Sequence, residues 1–221
     1  HPPLSMPYVT VLVLASIGQY WHRKKPNHGE SFLCGWLFGL GYFSFSLIWI
    51  IEPFLVKPHE TAIFAPFALI LLTASLSIFW GFAFWGASQK NDYGSKFWSL
   101  VQLAAFLSLA ELLRSFMFSG FPWVILGIAF VDTSLGQNLS LFGPYWLTSL
   151  IIFLSFISLS GFRGVLISLI GFMALFFYGE SRFKDVENLK PAVKVRVVQP
   201  NIDQRLKWKP ELSALHQEKL F

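Results

Sequence analysis

From Thr61 to Ser88 the chain carries no charged residue. Crossing ~30 Å of bilayer hydrocarbon as an α-helix takes about 20 predominantly apolar residues, and this stretch is longer than that. Inside lipid no water pairs the backbone N–H and C=O groups, so only a helix or a closed barrel satisfies them. A transmembrane helix is therefore the expectation for Thr61–Ser88. Pro66 should mark its first turn or kink it. One such segment makes lipid the solvent that the rest of the chain must fit.

Other apolar runs repeat the pattern. Met6–Tyr20 is short for a span, with Tyr8 and Tyr20-Trp21 as interfacial ends. Phe32–Ile51, Phe97–Phe118, Leu139–Ser160 and Val165–Tyr178 read as further spans, and Glu52-Pro53 as the stop of the first of these. Gly35, Gly39 and Ser46 fall near one face of Phe32–Ile51, as small residues do where helices approach closely in lipid. Only 13% of residues are charged, against about 25% in soluble domains. The expected class is an all-α membrane helical bundle of about six spans over residues 1–180. The net charge of +5 could point to nucleic acid, but the basic residues sit in short loops between apolar runs. No nucleic-acid partner is expected.

Positive charge sets sidedness. The loops Trp21–Glu30, Gln89–Lys96 and Ser160–Gly164 carry Arg23, Lys24, Lys25, Lys90, Lys96 and Arg163; the loops Glu52–Glu60 and Ser119–Asn138 carry Lys57 alone. The first set is expected to be cytoplasmic. The second set and the C-terminal segment then lie on the outer face. The chain starts at His1 and ends at Phe221 inside an apparent helix, so it reads as a piece of a longer protein with one span missing before His1.

Chemistry concentrates between Glu111 and Trp123. A carboxylate and a guanidinium three residues apart, Glu111 and Arg114, share one helix face. Gly120 can cap a helix end, Pro122 biases Phe121 away from helix, and Trp123 favours a membrane–water boundary. The stretch reads as a helix ending at an interface. The pair either holds the helix end or contacts a phospholipid headgroup, since an intramembrane charge is a functional candidate by default. The loop that follows, Ser119–Asn138, has no Lys or Arg and is partly apolar. It is expected to dip into the interface or cover a lateral opening.

After Tyr178 the composition changes. Residues 181–192 are charged and polar and read as a linker. Val193–Val198 alternates as a half-buried strand does. Pro210 and Glu211 suit a helix start, with Leu212, Leu215 and Leu220 along one face. A soluble α/β domain is expected to begin over 193–221.

Three stretches resemble the apolipoprotein N-acyltransferases of bacterial envelopes. They are Gly35–Phe43 with Trp49; Glu111-Leu112-Leu113-Arg114 with Gly120-Phe121-Pro122-Trp123; and Val197–Ile202 with Gln204 and Lys207-Trp208. Gly136-Gln137 with Gly143-Pro144-Tyr145 is similar but less sharp. The resemblance implies a multi-pass protein of the bacterial inner membrane carrying an outward nitrilase-like domain, of which this chain would hold the first strand and helix. It implies acyl transfer from a phospholipid donor to a diacylglyceryl lipoprotein acceptor through a cysteine thioester. The Glu, Lys and Cys of that chemistry belong beyond Phe221, so no catalytic residue is expected here and the chain alone should be inactive. Gly120, Phe121, Pro122 and Trp123 are expected near the mouth of the active site, with Trp208 on a loop facing the membrane and Glu111 and Arg114 beside them. Membrane lipids are the other expected partners, and no cofactor is expected.

Cys34, the single thiol, reads as an inert packing residue at the cytoplasmic end of its span. The five His show no ligand spacing, so no metal site is expected. A lipid transporter, or a structural membrane anchor for an amidase-like domain, remains the competing class.

Overall fold

The computed structural model describes residues 7–89, 95–117, 120–187, 196–202, 206–207 and 209–218. Its α-helices are α1 (Pro7–Lys24), α2 (His28–Ser46), the single turn α3 (Pro58–Thr61), α4 (Ala65–Ser88), α5 (Lys96–Phe116), α6 (Leu139–Ile157), α7 (Phe162–Glu187) and α8 (Ser213–Glu218). Four helical stretches are long and apolar enough to cross a bilayer: Pro58–Ser88, Lys96–Phe116, Ser134–Ser160 and Phe162–Phe183. A fifth is the bent pair His28–Ser46 and Ile48–Leu55, which meet at 47°. The expected first span is present as α1, but its last turn holds His22, Arg23 and Lys24, and it is not among these stretches.

Local sequence explains the boundaries. α2 starts where Asn27 and Glu30 form a capping box: Asn27 Oδ1 accepts from the Glu30 amide at 2.9 Å, and the Glu30 carboxylate accepts back from the Asn27 amide at 3.4 Å. Each bond satisfies an amide that the first helical turn leaves open. Pro66 occupies the first turn of α4, where its missing N–H costs nothing. Glu52-Pro53 does not end a straight helix, as expected. The chain bends after Ser46 and continues as a 3-10 helix over Ile48–Leu55, with Pro53 inside it. α7 runs to Glu187 rather than stopping at Tyr178. Between Gly179 and Pro191 there is no helix breaker, and Glu, Arg and Lys propagate a helix well. The first half of the expected linker is therefore helical.

α2 packs along α4. A Cβ at Gly35 would run into the Trp80 carbonyl and the Phe84 side chain, and one at Gly39 would lie 3.2 Å from Ser77 Cα. Ser46, at the end of α2, lines a cleft with Trp80 of α4 and with Val9, Thr10 and Val13 of α1, and Phe43, one turn after Gly39, is buried. The buried core gathers Phe43, Trp80, Phe84, Leu103, Leu107, Ile151 and Phe156 from α2, α4, α5 and α6.

Hydrogen bonds fix which ends lie together. His28 Nδ1 and Ser88 Oγ are 2.8 Å apart, and Lys96 Nζ donates to Gln19 Oε1 at 3.1 Å. The ends of α1 and α4 and the starts of α2 and α5 therefore share one face of the bundle. At the other end, residues 120–138 pack against the bundle. They form 3-10 turns at Leu126–Phe130 and Ser134–Asn138. Ile125, Leu126, Phe130 and Leu135 are buried. Asn138 Nδ2 donates to the Leu175 carbonyl at 2.9 Å, and Ser134 hydrogen-bonds Glu180. The loop's apolar residues pack into the bundle because α6 and α7 offer them a surface.

Among the described residues there is no strand. Val193–Val195 of the expected strand lie outside the described residues, and Arg196–Val198 are not assigned to a strand. Pro210 does open a helical turn, continued by α8. None of the described residues from Arg196 onward is buried.

Gly35→Val should lower stability by roughly 1–3 kcal/mol through overpacking against backbone. Gly41→Ala, where an added Cβ meets nothing within 4 Å, should not. Thermal unfolding in neutral detergent compares the two.

Candidate functional site

The site is built on the last turn of α5. Glu111 and Arg114 are each 1% exposed. Arg114 donates from Nη2 to Glu111 Oε2 at 2.9 Å and from Nε to Glu111 Oε1 at 3.2 Å. Trp80, on α4, adds its indole N–H to Glu111 Oε1 at 2.7 Å. The Arg114 guanidinium carbon lies 5.0 Å from the centroid of the Phe43 ring on α2. Three helices thus converge on one ion pair. Breaking such a pair leaves an uncompensated charge in a medium that does not solvate it.

Arg114 also shapes the chain that follows. Its Nη1 donates to the carbonyl oxygens of Phe121 at 2.9 Å and Trp123 at 3.0 Å. The helix stops at Phe116, and Gly120 adopts φ +80°, donating to the Met117 carbonyl at 2.8 Å. A Cβ there would stand 2.6 Å from the Ser115 carbonyl oxygen, so this position needs glycine on both counts. Val124 sits at φ +60°, which is strained for a β-branched residue. It is held by Tyr42, whose hydroxyl donates to the Val124 carbonyl at 3.1 Å. Trp123 is exposed but its ring meets Trp49 at 5.7 Å between centroids. The bend after Ser46 is what carries Trp49 to it.

The structure therefore joins two of the quoted sequence stretches in space: Tyr42, Phe43 and Trp49 reach the Arg114 and Gly120–Trp123 stretch. The less sharply similar segment around Gly143-Pro144-Tyr145 lies alongside. Tyr145 packs on Phe116 at 5.6 Å between ring centroids, just after a break in α6 where Gly143 has φ +80°. Trp208 and Gln204 lie outside the described residues. Trp80 has no role in the sequence reading, and Tyr42 enters it only within the Gly35–Phe43 stretch. The available signal was a tryptophan deep in an uncharged span, since a buried indole N–H requires an acceptor.

Below the turn an apolar groove of about 840 Å³ follows the seam of α4 and α5. Gly120, Phe121 and Arg114 line one end; Trp85, Gly86 and Phe106 line the other. From Leu72 to Gly86 it follows α4 for about 21 Å at 1.5 Å per residue. That exceeds one leaflet's half of the ~30 Å hydrocarbon layer. Cys34 is remote: it lies nine residues before Phe43 on α2, ~13.5 Å along the axis.

A bundle with several membrane-capable helices, a buried ion pair fixing an aromatic turn, and an apolar groove below that turn defines a multi-pass membrane protein. A family model described as the apolipoprotein N-acyltransferase N-terminal domain matches residues 1–157. Similar curated proteins, each called apolipoprotein N-acyltransferase, come from Methylococcus capsulatus (29% identical over 95% of this chain), Allorhizobium ampelinum (34% over 80%) and Agrobacterium fabrum (34% over 83%). The chain belongs to the apolipoprotein N-acyltransferase family. It spans 42%, 35% and 37% of the length of those three relatives.

Glu111 and Arg114 should be strongly coupled. Either single substitution to Ala should cost roughly 3–5 kcal/mol, and the Glu111→Ala/Arg114→Ala double variant less than the sum of the two. A double-mutant cycle on thermal unfolding reads the coupling, and simple additivity would contradict it.

Proposed function

We propose that this chain is the membrane part of an enzyme that transfers an acyl chain from a phospholipid to the α-amino group of a diacylglyceryl cysteine at a lipoprotein N-terminus. Residues 1–180 form the membrane domain, 181–192 lead out of it, and 193–221 begin a nitrilase-like domain. The reaction proceeds in two steps. A cysteine thiolate attacks the donor's ester carbonyl, the lysophospholipid oxygen leaves with a proton, and a thioester forms. The acceptor amine then attacks the thioester, loses a proton to a base and expels the thiolate. A thioester divides one difficult acyl transfer into two easier ones, and a cation opposing the oxyanion lowers both barriers. The family resemblance assigns the thiolate, base and cation to a Cys, a Glu and a Lys beyond Phe221.

The observation that carries this reading is the Arg114 fork, which holds the Gly120–Trp123 turn over the open end of the apolar groove. In this reading the groove takes one acyl chain of the donor. Gly120, Phe121, Pro122 and Trp123 form the rim where the ester meets the nucleophile, and the family resemblance assigns Trp208 to substrate contact as well. Arg114 and Glu111 act by fixing that rim, Arg114 also lining the groove's end. The protein lies in the bacterial inner membrane, with the Gly120–Trp123 rim and the C-terminal segment on the outer face.

Filling the groove tests this in the full-length protein. Ser75 is an exposed groove residue, so Ser75→Trp blocks it without crowding the core. It should reduce acyl transfer from long-chain phospholipid about tenfold or more, a loss of roughly 1.4 kcal/mol in transition-state binding. A short-chain donor should be affected much less. Equal loss with both donors would argue against the groove. Cys34→Ser should leave the hydroxylamine-sensitive acyl adduct of the full-length protein intact, and residues 1–221 alone should form none.

Sidedness has its own measurement. In a Cys34→Ser background, Ser181→Cys should react with a membrane-impermeant thiol reagent in intact spheroplasts, and Ser95→Cys should not. The reverse pattern would invert the topology.

A further inference from the structure

The end of the bundle opposite the Gly120–Trp123 turn carries its own concentration of charge. Arg23, Lys24 and Lys25 are exposed at the close of α1. Lys96 comes from the start of α5, yet its Nζ is held 3.1 Å from Gln19 Oε1 on the last turns of α1. Beside that contact an open hollow of about 530 Å³ runs along the surface of α1, lined by Ser16, Gln19, Tyr20, Arg23 and Lys24. Lys24 Nζ lies 5.9 Å from the centroid of the Tyr20 ring.

Negative partners are scarce at this site. The described ion pairs, Lys57–Glu60 and Arg114–Glu111, involve none of these cations. Among the described residues of Trp21–Glu30, Gln89–Lys96 and Ser160–Gly164 the only acid is Glu30, and its carboxylate caps α2. Asp92 lies outside the described residues. His22, half-buried beside the hollow, has its pKa lowered by burial first and then by the Lys96 and Lys25 charges. It stays neutral while its neighbours carry the charge.

The helix face leading to the hollow is graded. Leu12, Ser16, Tyr20 and Lys24 are four residues apart and so share one face of α1. Leu12 is 67% exposed and Tyr20 52% exposed. Along the axis the face passes from aliphatic to hydroxyl to phenol to ammonium. A phospholipid has that order too: acyl chain, ester and glycerol, phosphate. Keeping a loop on the positive side of a membrane requires only that lysines be present. It does not require a cation from α5 to be tethered across α1, nor a hollow with hydroxyl and amide groups under the charges. Clusters of Lys and Arg at the end of a membrane helix attract anionic headgroups.

We propose that this hollow binds the headgroup of an anionic phospholipid from the leaflet that the α1–α2 turn faces. Arg23, Lys24 and Lys96 meet the phosphate, Tyr20 lies along the glycerol, and Leu12 meets the first acyl carbons. The site is distinct from the groove end at Gly120 and Phe121 and does not rest on the acyl-transfer reading.

The experiment uses the full-length protein in nanodiscs of phosphatidylcholine, with or without phosphatidylglycerol. Native mass spectrometry counts retained lipid and thermal unfolding reads the stabilisation. Phosphatidylglycerol should raise the unfolding temperature and be retained. The Arg23→Gln/Lys24→Gln/Lys96→Gln variant should bind it at least about tenfold more weakly and unfold in pure phosphatidylcholine as the parent does. If that variant does not fold, Lys24→Gln alone should still weaken retention, while Lys57→Gln at the opposite end should not. Inorganic phosphate at matching concentration should give no shift. Equal stabilisation by both lipids, a phosphatidylglycerol effect that survives these substitutions, or an equal effect of free phosphate would overturn the proposal.

Discussion

A carboxylate and a guanidinium that are both 1% exposed within a lipid-facing bundle are tolerated only if their bonding capacity is met inside the protein. Glu111 and Arg114 meet it with partners from several directions. The carboxylate takes two N–H groups from Arg114 and one from Trp80. The guanidinium spends its remaining outward fork on two loop carbonyls. Each of those carbonyls belongs to a turn that could not otherwise satisfy them in an apolar setting. The pair is thus a joint between the helix end and the turn, and removing either charge would release both.

The aromatic residues are arranged around that joint. Trp80 must point its indole at Glu111, which fixes α4 against α5. Tyr42 stacks on Trp80 at 5.1 Å between centroids and uses its hydroxyl on Val124, so α2 reports to the same turn. The close approach that puts Tyr42 and Phe43 there depends on Gly35 and Gly39 having no side chains between α2 and α4. The bend after Ser46 then delivers Trp49 to Trp123. A left-handed backbone at Val124 costs about 1–3 kcal/mol and persists because Arg114 holds the residue before it and Tyr42 holds its own carbonyl.

Much of this was legible in the chain. The absence of charge from Thr61 to Ser88, the three-residue spacing of Glu111 and Arg114, and the Gly120–Trp123 stop are local features, and local rules decide them. The glycine face of α2 was readable for the same reason. What failed was long-range or hidden by uniform composition. Trp80 lies 31 residues before Glu111, and nothing in the sequence pairs them except the need of an indole for an acceptor. The apolar run through Ile51 concealed a bend, because every residue there suits lipid whether the helix is straight or broken. The apolar residues of the loop 120–138 had no visible partner in the sequence. α6 and α7 supply one. α7 outran its expected end because hydropathy falls at Glu180 while helix propensity does not.

The choice of arginine at position 114 follows from the same geometry. Five N–H groups in a planar fork allow Nε and Nη2 to take the two Glu111 oxygens while Nη1 faces the other way toward Phe121 and Trp123. A lysine ammonium offers three donors around one point. It could pair with Glu111 or reach the turn, but its single centre cannot lie along a carboxylate and still meet two carbonyls on the far side. The flat guanidinium also packs on the Phe43 ring, which an ammonium in the same place would do with less contact. The residue is therefore doing structural work on both sides at once, and the shape of the turn at the groove's open end is set by the shape of the guanidinium.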